Sequence, residues 1–269
     1  MAKYGRIRRF TGGGSPIGGF DPDAAAFFAA VTAAGGTLSP TVKTEWDTTV
    51  LALKDGSYYS RFIFISPKLG GVAASAILDA TGNLTPVNSN FVNGDAHSII
   101  GLTGDGSTKS IDYGVTQVSV LPNANSWTYA VQFITAPVSG IYSLSSRDGT
   151  PTCALRPASP NNLAYGNTLG IVATSSNPAT YPQIFIGTRR SSTILRAYTN
   201  GTGGTIVTTA NATAAPTGNI FEYGLGSGAT VAVQDASRHG VSFAIDGLSD
   251  ADAAAISTIF ATFYTNITA

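Results

Sequence analysis

The chain has 269 residues, a length one large all-β sandwich can fill, and its 15 basic side chains balance 15 acidic ones. Charged residues make up 11% of it, under half of the roughly 25% usual in soluble domains, and glycine and small hydroxyl and amide residues take their place. A single cysteine excludes an internal disulfide framework, and no run approaches the ~18 apolar residues of a membrane-spanning helix.

The first ten residues hold Lys3, Arg6, Arg8 and Arg9 and no acid, which leaves the rest of the chain at a net charge of −4. A basic head followed by the glycine-rich stretch 12–19 predicts a flexible arm over residues 1–20. The basic run is shorter than nucleic-acid arms carry, so its expected use is docking on a neighbouring subunit. No apolar stretch follows it, so it does not read as a secretory signal.

Asp21 can cap a helix, Pro22 suits its first position, and Ala24, Phe27, Phe28 and Val31 fall on one face. Ser39-Pro40 repeats that start ahead of a second stripe of Val42, Trp46, Val50 and Leu53. Residues 21–56 therefore predict a helical hairpin.

Residues 57–269 predict a β-sandwich domain closed by a C-terminal helix. Short apolar or alternating runs occur at 61–65, 98–102, 115–120, 127–134, 140–145, 169–174, 183–187, 193–198, 205–209, 221–225 and 240–245, separated by turn residues. No helical pattern intervenes, which excludes a βαβ architecture. The proline-bearing stretches 151–160 and 176–182 read as long surface loops. Ser249 and Asp252 form a capping box ahead of Ile256, Ile259, Phe260 and Phe263.

Three segments together resemble tailed-bacteriophage and prophage virion proteins that carry a concanavalin A-like (laminin-G-like) lectin sandwich. They are the helical lead-in from Phe20-Asp21-Pro22-Asp23 to Gly70-Gly71; the run Gly101-Leu102-Thr103-Gly104-Asp105-Gly106-Ser107-Thr108-Lys109-Ser110-Ile111-Asp112-Tyr113-Gly114; and the close from Val241-Ser242-Phe243 to Ala253-Ala254. The resemblance covers about half of the chain in matching order. It implies a mainly β, concanavalin A-like or jelly-roll antiparallel sandwich, and a virion component made in the host cytoplasm, without choosing between head, tail and fibre.

The catalytic inventory is thin. Glycanases of this fold pair two carboxylates about 5–10 Å apart, commonly at i, i+2 or i+4 on a strand. Glu45 and Glu222 are the two glutamates, and Glu222 has no acid at either spacing; Asp250 and Asp252 sit at a helix start, where they serve the cap. His97 and His239 lack partners at metal-ligand spacing, and Cys153 has no activating neighbour in sequence. Asp105 and Asp112 flank a turn and are weak candidates for Ca²⁺, against ordinary turn chemistry. No cofactor is expected.

The expectation is a non-enzymatic structural protein of a bacteriophage particle (head decoration, fibre or tail component), homo-oligomeric and assembling with other virion proteins through its arm. The alternative is a lectin-like module attaching the particle to host-surface glycan, with Tyr165, Tyr181 and Tyr198 as sugar contacts and Trp127 assigned to the core.

Overall fold

The computed structural model describes residues 19–137, 141–147, 152–157, 161–166, 172–177, 180–208, 214–227, 230–232 and 234–269. Lys3, Arg6, Arg8 and Arg9, and with them the expected arm up to residue 18, lie outside the described residues.

Five helical segments are present: α1 (Pro22–Ala33), α2 (Pro40–Asp55), α3 (Ala73–Ala76), α4 (Gln117–Val120) and α5 (Asp250–Thr268). The first strands are β1 (Phe62–Ser66), β2 (Val87–Ser89), β3 (Leu102–Thr103), β4 (Ser110–Thr116), β5 (Trp127–Phe133), β6 (Leu144–Arg147), β7 (Thr152–Arg156) and β8 (Asn161–Gly166). The rest are β9 (Val172–Ser176), β10 (Gln183–Ser191), β11 (Ile194–Thr199), β12 (Thr202–Val207), β13 (Asn219–Glu222), β14 (Leu225–Ser227), β15 (Thr230–Ala232) and β16 (Arg238–Ile245).

The strands form two antiparallel seven-stranded sheets. The first runs β1-β16-β5-β10-β11-β12, with β3 also on β16; the second runs β2-β4-β13-β6-β7-β8-β9, and β14-β15 is a separate hairpin. The chain is thus a mainly β sandwich with helices at its two ends, as its sequence predicts. Alternation along the strands of the first sheet separates two cores. Tyr129, Val131, Phe133 and Phe185 join Leu144, Leu155 and Ala164 of the second sheet between the sheets. Ala130, Ile184, Ile186, Val241, Phe243 and Ile245 face the helices instead. Every residue of β5 is buried because this central strand is covered on both faces, and Trp127 lies in the inter-sheet core.

The helices start where the sequence places their caps. Asp21 accepts from the Asp23 amide at 3.0 Å, Ser39 from Val42 at 3.2 Å, and Ser249 and Asp252 close a capping box. Trp46 of α2 meets Phe263 of α5 edge-on at 5.3 Å, so α5 packs on the hairpin and on the sheet together.

Two expectations are corrected. The alternating run 115–120 is not one strand: β4 stops at Thr116, whose hydroxyl caps α4 by accepting from the Ser119 amide at 3.3 Å. Gln117 then turns inward and its carbonyl takes the Tyr129 hydroxyl at 2.8 Å. The stretch 151–160 is likewise no simple loop, since it contains β7, whose Cys153 and Leu155 point into the core and pair across to Gly166 and Ala164. In 176–182, Tyr181 precedes a cis peptide to Pro182 that leads into β10.

Candidate functional site

The largest group of titratable side chains lies between the sheets. Lys68 (just after β1), Glu222 (end of β13), Asp235 and His239 (start of β16) are all 0% exposed. Lys68 Nζ donates to Glu222 Oε2 at 2.8 Å, to Ser66 Oγ at 2.7 Å and to Ser242 Oγ at 3.0 Å. His239 Nδ1 contacts Glu222 Oε1 at 2.9 Å and its Nε2 contacts Asp235 Oδ2 at 3.0 Å. Ionised carboxylates only accept, so both ring nitrogens carry protons and the ring is an imidazolium. Two cations then face two anions in a neutral row.

The remaining lone pairs are satisfied. Tyr113 donates to Glu222 Oε2 at 2.7 Å, Ser242 to the same oxygen at 2.8 Å, and Ser143 and Ser237 donate to Asp235. Tyr223 stacks on the imidazolium with ring centroids 3.8 Å apart. Burial by itself opposes the charged His239 ring, but its bonds to Asp235 and Glu222 outweigh this and raise its pKa. Burial likewise pushes the Glu222 carboxyl up, yet the Lys68 ammonium and the His239 contact prevail and bring it down to about 2. Lys68 is pulled below its ordinary value by burial, against the opposing pull of Glu222.

Backbone strain accompanies this row. Lys68 and Tyr223 adopt left-handed conformations, with φ of 53° and 66°, a state that costs a non-glycine residue roughly 1–3 kcal/mol unless its surroundings enforce it. Gly104, in the Gly-Asp-Gly-Ser turn, is needed for a related reason: a Cβ there collides with the Asp235 carbonyl. With no exposure to solvent, the row bolts the sheets together and does not present a proton-transfer pair to a substrate.

A second cluster is accessible. Alternation turns Arg156 of β7 and Tyr165 of β8 to the face of the second sheet that points away from the first, since Leu155 and Ala164 point inward. Arg156 Nη1 donates to the Tyr165 hydroxyl at 2.9 Å, and this bond raises the guanidinium pKa further. Tyr142, just ahead of β6, sets its ring 5.6 Å from that of Tyr165, and the Arg156 guanidinium lies 5.7 Å from the Tyr142 centroid. Tyr142 and Arg156 are half-buried and cover Tyr165, which is 5% exposed. A ring with an adjacent guanidinium is suited to stacking on a sugar face while donating to its oxygens. The long helices leave this face uncovered, since α1, α2 and α5 all pack on the other sheet.

Among solved structures, Trypanosoma rangeli sialidase in complex with a difluoro-KDN ligand is similar at 10% identity over 82% of this chain and 40% of that one, with a TM-score of 0.53. Botulinum neurotoxin type C, whose cell entry is dependent upon interaction with two ganglioside molecules, matches at 10% identity over 78% of this chain and 53% of the toxin chain, with a TM-score of 0.54. The Ruminococcus gnavus IT-sialidase CBM40 bound to alpha2,3 sialyllactose aligns over 59% of this chain and 96% of that module, at 15% identity and a TM-score of 0.45. The likeness shows the fold, a lectin-type β-sandwich. The chain spans about 40% of the sialidase and about half of the toxin chain. No family model and no curated protein matches the sequence.

The residues singled out in the sequence are dispersed. Tyr165 is in the cluster just described. Tyr198 is 1% exposed, packs under the helices and donates to Asp250 Oδ1 at 2.6 Å, so it offers no ring to a sugar. Tyr181 is half-buried at one end of the sandwich, its hydroxyl on Asn177 at 3.3 Å. Asp105 accepts from the amides of Ser107, Thr108 and Lys109 at 2.8–3.0 Å and from the Thr108 hydroxyl, which occupies it with its own turn. Asp112 accepts from the Gly114 amide and from Asn219. Among the described residues no group of three or more His, Cys, Asp or Glu is placed to hold a metal ion. Tyr142 and Arg156 were missed: the first sat inside an apolar run, the second inside a stretch read as loop. The signal for β7 was present in Cys153 and Leu155, two apolar residues at strand spacing.

Proposed function

We propose that this chain is a non-enzymatic glycan-binding module in which Tyr142, Arg156 and Tyr165 form the sugar platform. The observation that carries the reading is the aromatic and guanidinium cluster on the face that no long helix covers. The shared sandwich of the ganglioside-dependent toxin supports it by analogy of fold. Glu222, Asp235 and His239, which have proton-transfer chemistry, are sealed between the sheets, and this favours binding over hydrolysis.

The setting in this proposal is the surface of a bacteriophage particle, where many weak sites act together through multivalency. The motif run Gly101–Gly114, the closing segment 241–254 and the low surface charge support that setting.

Removal of the Tyr142 ring tests the platform. A glycan microarray followed by calorimetry on the best glycan is expected to show binding by the native chain. Tyr142→Ala is expected to weaken it about 10-fold, the ~1.4 kcal/mol scale of one cation–aromatic or stacking contact. Unchanged affinity in a folded Tyr142→Ala variant contradicts the platform, and release of product from any array glycan contradicts the non-enzymatic reading.

A further inference from the structure

On the opposite side of the molecule the outer surface of α5 carries a groove. One depression of about 310 Å³ is lined by Asn200, Ser257, Thr258, Thr262, Thr265 and Asn266 among others. A second of about 310 Å³ adjoins it through Asn266 and runs on between residues 37–39 and Ser98-Ile99. Both volumes fall at the low end of the roughly 300–1,000 Å³ of ligand clefts. Ser257 to Asn266 spans roughly 13 Å of helix at ~1.5 Å per residue, so the surface is elongated. Gly201, at φ 77°, lets the Asn200-Gly201 turn close onto the helix, where a Cβ comes 3.1 Å from Ala254 Cα.

The lining decides the ligand class. No side chain lining either depression carries a charge, so nothing there neutralises a phosphate or a carboxylate. The hydroxyls of Thr258 and Thr265 give their protons to the carbonyls of Ala254 and Ala261, both at 3.0 Å, and keep their lone pairs outward. Asn266 donates to Glu45 at 2.7 Å, which leaves its carbonyl oxygen as an acceptor. Ser257 Oγ is the second, independent observation. It lines the groove, its residue is 2% exposed, and the oxygen has no hydrogen-bond partner. A buried hydroxyl without a partner is costly, and an incoming donor removes that cost. The groove thus offers many acceptors and no charge.

We propose that the α5 groove is a second carbohydrate site, which takes an uncharged, hydroxyl-rich glycan chain and seats one sugar hydroxyl on Ser257. It extends the glycan-binding reading, and the variants keep the two sites apart. The test uses the full chain, with maltohexaose, cellohexaose and laminarihexaose as probes and an oligouronate as the charged control, read by calorimetry and thermal melting. Thr262 is exposed, so Thr262→Arg blocks the groove without touching the core.

The expected result is millimolar binding of at least one neutral hexasaccharide and none of the oligouronate at this groove. Binding is expected to fall at least 10-fold in Thr262→Arg and to persist in Tyr142→Ala. Ser257→Ala is expected to lose affinity with an unchanged or higher melting temperature, since it deletes an unsatisfied group. Neutral-glycan binding that survives Thr262→Arg but vanishes in Tyr142→Ala overturns the second site and leaves the first. Absence of binding by all three probes, or a Ser257→Ala variant that melts lower and binds normally, also overturns it.

Discussion

Glu222→Ala is expected to cost about 3–5 kcal/mol of stability, the scale for breaking a buried ion pair from one side. The carboxylate is the hinge of the row, taking Lys68, His239, Tyr113 and Ser242 at 2.7–2.9 Å with no exposure to water. Its loss strands an ammonium beside an imidazolium in the inter-sheet core. For a domain with a total of about 5–15 kcal/mol, much of the soluble protein is expected to be lost. Chemical denaturation of whatever folds measures the effect. The double variant Lys68→Met with Glu222→Met is expected to regain part of the loss, because it removes the stranded ammonium along with its partner. A single variant as stable as the native chain contradicts the role given to this row.

The same row makes the protein acid-sensitive over a defined window. The Glu222 pKa is about 2 in the folded protein and 4.5 ordinarily. Its contribution is therefore fully present above pH 4.5 and lost as pH falls towards 2, on the order of 3 kcal/mol in all. Asp235 is also depressed, its bonds to His239, Ser143 and Ser237 overriding burial, and adds in the same direction. His239 acts at the other end: its raised pKa gives stability that is present below 6.5 and lost as pH rises through the folded value. Denaturation midpoints between pH 2 and pH 9 should trace a dome with a steep acid side. The acid side should flatten in the Lys68→Met, Glu222→Met double variant. A flat native profile down to pH 2.5 contradicts it.

Local chemistry was legible in the sequence and long-range chemistry was not. Asp21-Pro22, Ser39-Pro40 and the Ser249 to Asp252 box fix helix starts within four residues, so the helices stand where the pattern puts them. Asp105 likewise satisfies itself within its own turn. The ionic row had no such signal. Lys68 and Glu222 are 154 positions apart, and a rule that seeks two acids on one strand does not see Glu222 and Asp235 joined through a histidine. Tyr198 was named as a sugar contact because a strand tyrosine does not reveal which face will be covered. Three helices distant in sequence cover that one, whereas the face bearing Tyr165 escapes them. Arg156 was hidden because the prolines at 151 and 157 read as loop punctuation, although they bracket β7.

The platform itself is tested most directly by titrating the best array glycan into protein labelled with ¹⁵N at arginine and following the Arg156 Nε–H resonance. The account predicts a shift that saturates with the glycan, matches the calorimetric affinity, and disappears in Tyr142→Ala. A glycan that binds with full affinity while the Arg156 resonance stays in place contradicts it.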